Sequence, residues 1–473
     1  MTAISTIDLS IILFYFALML VIGFVASRKQ TTVEDYYIAG GKLGTFSIAC
    51  LWFASWIGGA AVVGVASKAY QIGISGMWYV AAMAIGCLLF GLFFAKRVKR
   101  MGKQYNALTY PDLIETRFDS RTRVVATITT VVAFVAYAAG QLAAAAGILH
   151  TLLGWDYGVS VLFSSAIIVL YTVTGGYLAV TYTDWLQVTI LFIGIVFIGI
   201  PLALQNGGDL ANLQANLPTG HFNIGSWGWA SIAALVLSIG FSFFTAMDSY
   251  TRMFSARTEQ IAQRGTLLVV VFLVPIAIGA TWLGMTGALL FPGLDDSSDI
   301  LSTIVVELFP VGLKGLVLVG LLAALMSTAD ICILTASANI SRDVYQRYVN
   351  PEIDSRKLLR LSMVMSLVVG ILAALLAWRM QDIIDILLIG FTVNSAALFL
   401  PSVAMIYSSK VNANAAFWSI CLSLITVFFW YAAAQLPSFP WAHVDPLWPG
   451  LLVSFSVFTL LNRNPKLGTA TGH

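Results

Sequence analysis

Ser327 and Thr328 stand side by side in an apolar stretch, Leu322-Ala323-Ala324-Leu325-Met326-Ser327-Thr328-Ala329-Asp330, with Cys332, Thr335, Ser337 and Asn339 following. Stripping water from a sodium ion requires several oxygen ligands in exchange, which neutral hydroxyls and carbonyls can supply. The two hydroxyls and the Ala324 carbonyl one turn earlier offer three. The same hydroxyls can also bond back to their own helix at i−4, as membrane helices commonly allow. Asp330 is harder to treat as filler, because it lies 12 residues before Arg342, about 18 Å along a helix, too far to reach water. A carboxylate inside a membrane is expensive and marks a functional site by default. Asp184, in Tyr182-Thr183-Asp184-Trp185, reads either as a functional acid or as a helix cap or first-turn charge on the macrodipole. Asp248 precedes Arg252 by four residues, the spacing of an ion pair on one helix face, and binding of a solute is the competing reading. Trp52, Trp56 and Tyr137 offer rings to an apolar or cationic solute, although each alone reads as packing.

Other reactive residue types are scattered. Cys50, Cys87, Cys332 and Cys421 sit far apart in apolar stretches without CxxC spacing, as small hydrophobes rather than disulfides or ligands. His150, His221, His443 and His473 form no zinc pattern, so metal-assisted hydrolysis has no ligand set. No nucleophile and base pair stands out, which argues against an enzyme and against any cofactor. The net charge of +3 gives no reason to expect nucleic acid as a partner.

The elements that must position these residues are membrane helices. Hydrophobic residues make up 59% of the chain and charged ones 10%, against roughly 45–50% and 25% in soluble domains. Apolar stretches of about 20 residues, enough to cross a hydrocarbon core, recur from end to end. They are expected at 7–26, 45–70, 76–96, 124–150, 157–177, 182–204, 227–253, 265–290, 312–341, 358–379, 382–408, 414–436 and 446–462. The first carries no basic leader or cleavage site and reads as a retained helix. The chain is thus an all-α membrane protein of about thirteen transmembrane helices, one domain embedded in the lipid bilayer of an inner (plasma) membrane.

With the amino terminus outside, 22 of the 25 basic residues fall in cytoplasmic segments, Arg252 and Arg257 among them, leaving Lys68, Lys314 and Arg379 on the other side. That bias is the positive-inside rule, and a miscounted span would scramble it. The carboxy terminus then lies in the cytoplasm. Two spans in corresponding places look unfit to be continuous. The second contains Gly58-Gly59, and the seventh has Ser238, Gly240, Ser242, Thr245 and Asp248. Five spans separate their starts, as in transporters built from five-helix inverted repeats whose first helices break at the midplane. Irregular backbone survives there where it lines a cavity or is buried; close helix packing at the glycines is the alternative.

Three motifs in order, Asp35-Tyr36-Tyr37-Ile38-Ala39-Gly40-Gly41, Thr174-Gly175-Gly176-Tyr177-Leu178-Ala179-Val180-Thr181-Tyr182-Thr183-Asp184 and Ala323-Ala324-Leu325-Met326-Ser327-Thr328-Ala329-Asp330, resemble the sodium/solute symporter family of sodium/proline, sodium/galactose, sialic-acid and high-affinity choline transporters. The resemblance implies a five-helix inverted-repeat (LeuT-like) fold, with repeats at 45–204 and 227–408 and peripheral spans at the start and over 414–462. It implies a sodium site of the Ala54, Ile57 and Ala324 carbonyls and the Ser327 and Thr328 hydroxyls. It also places Asp184 on the ion's exit route or in a second cation site, where Asp330 stands in place of the family's serine. Trp56 occupies a position that is Asp in the proline branch and Trp in the choline branch; Tyr137 matches an aromatic of the choline cage, whereas Ala246 stands where that cage has a further Trp. Ser55, Gly58, Gln141, Thr245 and Asp248 complete the candidate solute set with Trp52, Trp56 and Tyr137.

The expected activity is sodium-driven import of a small organic solute, an amino acid or small amine, by alternating access, with sodium and the solute as partners and one chain sufficient for transport. Proton coupling through Asp330 and Asp184 is one alternative. A symporter-like solute sensor is another, disfavoured by the lack of an output domain after Arg463.

Overall fold

The computed structural model describes residues 5–27, 38–56, 59–380, 383–408 and 411–462, and every regular element among them is helical. In chain order the helices are α1 (Thr6–Ser27), α2 (Thr45–Trp56), α3 (Gly59–Ile72), α4 (Trp78–Phe93), α5 (Ala95–Gln104), α6 (Tyr110–Arg117), α7 (Ser120–Leu153) and α8 (Tyr157–Phe192). They continue with α9 (Ile200–Gln205), α10 (Leu210–Asn216), α11 (Trp229–Thr245), α12 (Met247–Ser255), α13 (Glu259–Leu290) and α14 (Ile300–Leu308). The last are α15 (Leu313–Ala338), α16 (Ser355–Arg379), α17 (Ile383–Tyr407), α18 (Ala413–Ala433) and α19 (Leu447–Leu461).

Among the described residues eight helices are long and apolar enough to cross a membrane, or nine if the bent pair α11–α12 is one span. Shorter apolar helices at Thr6–Met19, Thr45–Trp56, Tyr157–Leu170 and Leu447–Leu461 fall within other expected spans.

Burial divides the helices into core and rim. Every residue of α15 from Val317 onward is buried, as expected of a helix apolar on all sides at the centre of a bundle. On α16 only Leu358, Ser362, Ser366, Val369, Gly370, Ala373 and Ala377 are buried, while Ile371, Leu375 and Trp378 face outward, 51–60% exposed. The inward stripe is made of small residues, which allows close approach without a hydrophobic driving force: a Cβ on Gly370 would meet Val169 Cγ2 at 2.4 Å. Serines join the pair, Ser366 donating to Ser337 Oγ at 2.9 Å.

Two expectations change in the structure. The fifth and sixth spans were expected to be separated by a loop, but α8 is helical throughout and runs on through a π-helical stretch, Ile193–Gly199, into α9. It folds back on itself nonetheless. The Tyr157 hydroxyl donates to Ala377 O at the last turn of α16, Thr172 reaches Asp330 deep on α15, and Ile190 and Gly194 pack on Gly320 and Val317 near the start of α15. Both ends of this helical run therefore return to one side of the bundle. Secondly, the carboxy-terminal end of α15 is not followed by a loop after residue 341 but by a π-helical extension, Asn339–Val349. Gly73 makes the turn from α3 to α4 possible: its φ is +70° and a Cβ there would lie 2.0 Å from the His221 carbonyl oxygen.

Candidate cation and solute site

Of the two suspect helices, the second one is seen to bend, and the point of interest in the first falls on residues not described. Between α2 and α3 lie Ile57 and Gly58, outside the described residues. Between α11 and α12 the chain turns by 46° at Ala246, whose φ of −65° and ψ of 126° leave the helical region. The segments flanking them are tied together, Leu43 N donating to Ser255 O and Arg257 N to Leu43 O, each at 3.0 Å.

Four oxygens meet where α2 ends against α15. Thr328 Oγ1 donates to Ala54 O at 2.7 Å and lies 3.0 Å from Ala324 O, while Ser327 Oγ lies 3.1 Å from Ala324 O. Thr328 thus makes the back-bond to its own helix and the reach across to α2. With Ser327 0% and Thr328 4% exposed, neither hydroxyl faces lipid. Neutral oxygens clustered at a helix end are the donor type that a small hard cation takes.

Beside them is a buried cavity of about 30 Å3, measured as space for the centre of a water-sized sphere, with Ser55, Trp56, Tyr137, Gln141, Asp248 and Thr328 in its wall. That is room for one or two waters, so the site is closed down around little more than solvent. Tyr79, Phe134, Cys332 and Phe391, which the sequence did not single out, complete the polar and aromatic lining. Cys332 alone had a signal, lying one turn beyond Thr328 on the same helix face. Trp56 Nε1 donates to Asp248 Oδ2 at 2.9 Å, its ring stacks on Phe243 at 3.7 Å, and Tyr137 meets Phe391 at 4.8 Å. Ser55 Oγ is turned back to Leu51 O.

Trp52 and Thr245 lie outside this lining. Trp52 is completely buried, donates to Thr266 Oγ1 at 2.9 Å, and has the Arg252 guanidinium 4.6 Å from its ring centroid. Thr245 spends its hydroxyl on Ser242 O of its own helix. Arg252, counted above among cytoplasmic surface charges, is instead fully buried. Its Nη1 lies 2.7 Å from Asp248 Oδ2 and its Nε donates to Leu51 O at 3.2 Å, so the i, i+4 ion pair and a place for Asp248 at the cavity coexist.

Asp184 and Asp330 are both completely buried. Thr172 donates to Asp330 Oδ1. Neither oxygen of Asp184 has a hydrogen-bond partner, and it lies in electrostatic range of Arg252 and Asp330. Asp184 caps nothing, because α8 passes straight through it. Gln187, one turn on, donates to Tyr15 of α1 at 3.2 Å.

At the face rich in basic residues, Arg123 binds Asp112 at 2.8 Å and Glu115 and Asp343 at 2.5 Å each, and Arg347 binds Glu115 at 3.1 Å. Sequence reading missed this cluster, whose members are far apart in the chain. Outside the membrane spans, burial would raise the Glu115 carboxyl, but Arg123 and Arg347 more than offset it and hold it below its ordinary value. Thr109, which donates to Asp343 Oδ1 at 3.0 Å, and Arg342, 3.9 Å from Asp112 Oδ2, border a second small void, of about 20 Å3, reaching Thr335. At the opposite face a cavity of about 230 Å3 lies between His150, Tyr157, Asp296 and Asp299.

The family model of the sodium:solute symporter family matches residues 36–423. The chain belongs to that family. Curated relatives include the sodium/proline symporter of Escherichia coli (strain K12), 25% identical over 98% of this chain and 95% of that protein. The sodium/proline symporter of Staphylococcus aureus (strain JH9) is 25% identical over 96% and 91%. Among solved structures, a substrate-bound, outward-open sodium-coupled sialic acid symporter superposes with a TM-score of 0.81 at 21% identity, covering 97% of each chain. Mhp1, a nucleobase-cation-symport-1 family transporter, in a closed conformation, reaches 0.59 at 15% identity over 92% and 96%. This symporter therefore shares the helical fold of sodium-coupled carriers. It is a multi-pass membrane transporter, not an enzyme, and couples sodium to movement of a small solute.

Proposed function

We propose that this symporter imports an amino acid or small amine across a bacterial inner membrane, with thirteen spans, the amino terminus outside and the carboxy terminus cytoplasmic. Sodium is held by the carbonyls of Ala54, Ile57 and Ala324 and the hydroxyls of Ser327 and Thr328. The solute sits in the adjoining cavity against Ser55, Trp56, Gly58, Tyr137, Gln141 and Asp248, with Trp52 and Thr245 shaping it from behind. Asp184 and Asp330 serve as a second cation site or as the exit route. The two repeats, 45–204 and 227–408, begin with the broken helices and rock against each other; one chain suffices, in contact with lipid.

The observation that supports this most is the Thr328 hydroxyl, which joins the carbonyl at the end of α2 to the central helix. A sodium ion there ties both together and favours the closed outer half of the cycle. In proteoliposomes, solute uptake should follow the sodium gradient and stop when potassium replaces sodium. Thr328→Ala should weaken sodium by about tenfold or more, the worth of a hydrogen-bonding ligand to a charge. Uptake that follows pH at constant sodium, and survives Thr328→Ala, would assign the coupling to protons instead.

A further inference from the structure

The cavity wall contains two buried acceptors that the protein itself does not use. Asp248 gives Oδ2 to Trp56 Nε1 and to Arg252, but its Oδ1 has no partner, although the residue is only 5% exposed. Gln141, on α7 and 4% exposed, also has its Oε1 unpartnered. Both residues border the same small cavity.

A buried acceptor without a donor is costly, and a charged one more so, so such groups persist where a ligand or water completes them. An amide can serve as acceptor or donor when its side chain turns over, but an ionised carboxylate oxygen only accepts. Asp248 therefore sets the polarity of the site: its occupant must bring hydrogen. The donor that gains most from a carboxylate is itself positive, an ammonium N–H. The rings of Trp56, Tyr137 and Phe391 around it suit the polarised C–H groups beside such a nitrogen.

We propose that the solute is held through a protonated primary or secondary amine, its N–H groups taken by Asp248 Oδ1 and Gln141 Oε1, and that a quaternary ammonium is rejected. The aromatic lining alone would accept either kind. A fully methylated nitrogen keeps its charge and leaves both oxygens unmet. Sites built around a substrate N–H discriminate strongly against analogues lacking it. The inference rests on the reading of this cavity as the solute site.

The test uses matched pairs in sodium buffer on the purified full-length protein, read by thermal shift and by competition for uptake: L-proline against N,N-dimethylproline, glycine against glycine betaine, and ethanolamine against choline. At least one N–H-bearing member should bind, with its methylated partner weaker by about 10- to 100-fold, the value of one hydrogen bond to a charge. Gln141→Leu should weaken the N–H-bearing ligand several-fold, its sodium-induced shift serving as the control for folding. A methylated partner that binds equally or better overturns the proposal. So does a sodium shift with no response to any of these amines or to the common amino acids, an outcome that leaves the sodium reading standing. Discrimination within a pair without any sodium shift would do the reverse, keeping the amine and removing sodium.

Discussion

At Arg252 a carboxylate, a carbonyl and an aromatic face meet on one buried guanidinium. Its planar fork suits such a junction better than a lysine would. Replacing it with Gln leaves Asp248 without its counter-charge, and removing one partner of a buried pair typically costs about 3–5 kcal/mol. Chemical or thermal unfolding of Arg252→Gln should show a loss of that order, and the double variant with Asp248→Asn should recover much of it, a coupling that a double-mutant cycle reads directly. The sequence revealed the pairing, because the i, i+4 spacing is a local property. It did not reveal the depth, because a basic residue near the end of an apolar span looks like a surface anchor. Ser327, Thr328 and Asp330 were legible for the opposite reason: polar side chains in the middle of an apolar span have nowhere neutral to go. Trp52 and Trp56 could not be told apart, since which ring meets the cavity depends on partners from α11, α13 and α17.

Two helix breaks were expected from small and polar residues; α11–α12 does bend at Ala246, and the other expected break falls on Ile57 and Gly58, outside the described residues. The reversal between the fifth and sixth spans was legible from their two apolar stretches; the helical backbone that joins them in α8 was not, because no loop residues are needed where the chain stays helical. The ion cluster at the basic face joins α6, the start of α7 and the π-helical end of α15 across more than 200 positions of chain, so no local pattern announces it. It holds Thr109 and Arg342, which border the void reaching Thr335. Arg123→Ala should therefore speed labelling of a cysteine placed at Thr335 from the cytoplasmic side, measured in inside-out vesicles. Glu115 has a depressed carboxyl, so its contribution is present above its unfolded value of about 4.3 and is lost as pH falls through its lower folded value. Melting curves of the wild type and Glu115→Gln should keep a constant gap from about pH 7 to 5 and converge below about pH 4.

For the whole molecule, sodium acts on stability as well as on transport. A ligand that binds the folded state alone stabilises it by about 2.7 kcal/mol at 100 times its dissociation constant. The melting temperature should rise with the logarithm of sodium concentration, and solute should shift that dependence to lower sodium. By linkage, sodium must tighten solute binding by the same factor; unequal factors in paired titrations would contradict a shared site. The multi-pass membrane character was legible because apolar stretches recur along the whole chain, a signal that sums many spans rather than one.

The first helix, outside both proposed repeats, is not a bystander. Asp8 is completely buried and accepts the amides of Gly312 at 2.8 Å and Gly315 at 2.7 Å, where α15 begins. A negative charge at that end of the helix meets its exposed amides and dipole. The helix bearing Ser327 and Thr328 is thus moored at its head by a residue of the first helix. Replacing Asp8 with Asn would loosen that mooring and disturb ion capture about three to four helical turns along the same helix, at Ser327 and Thr328.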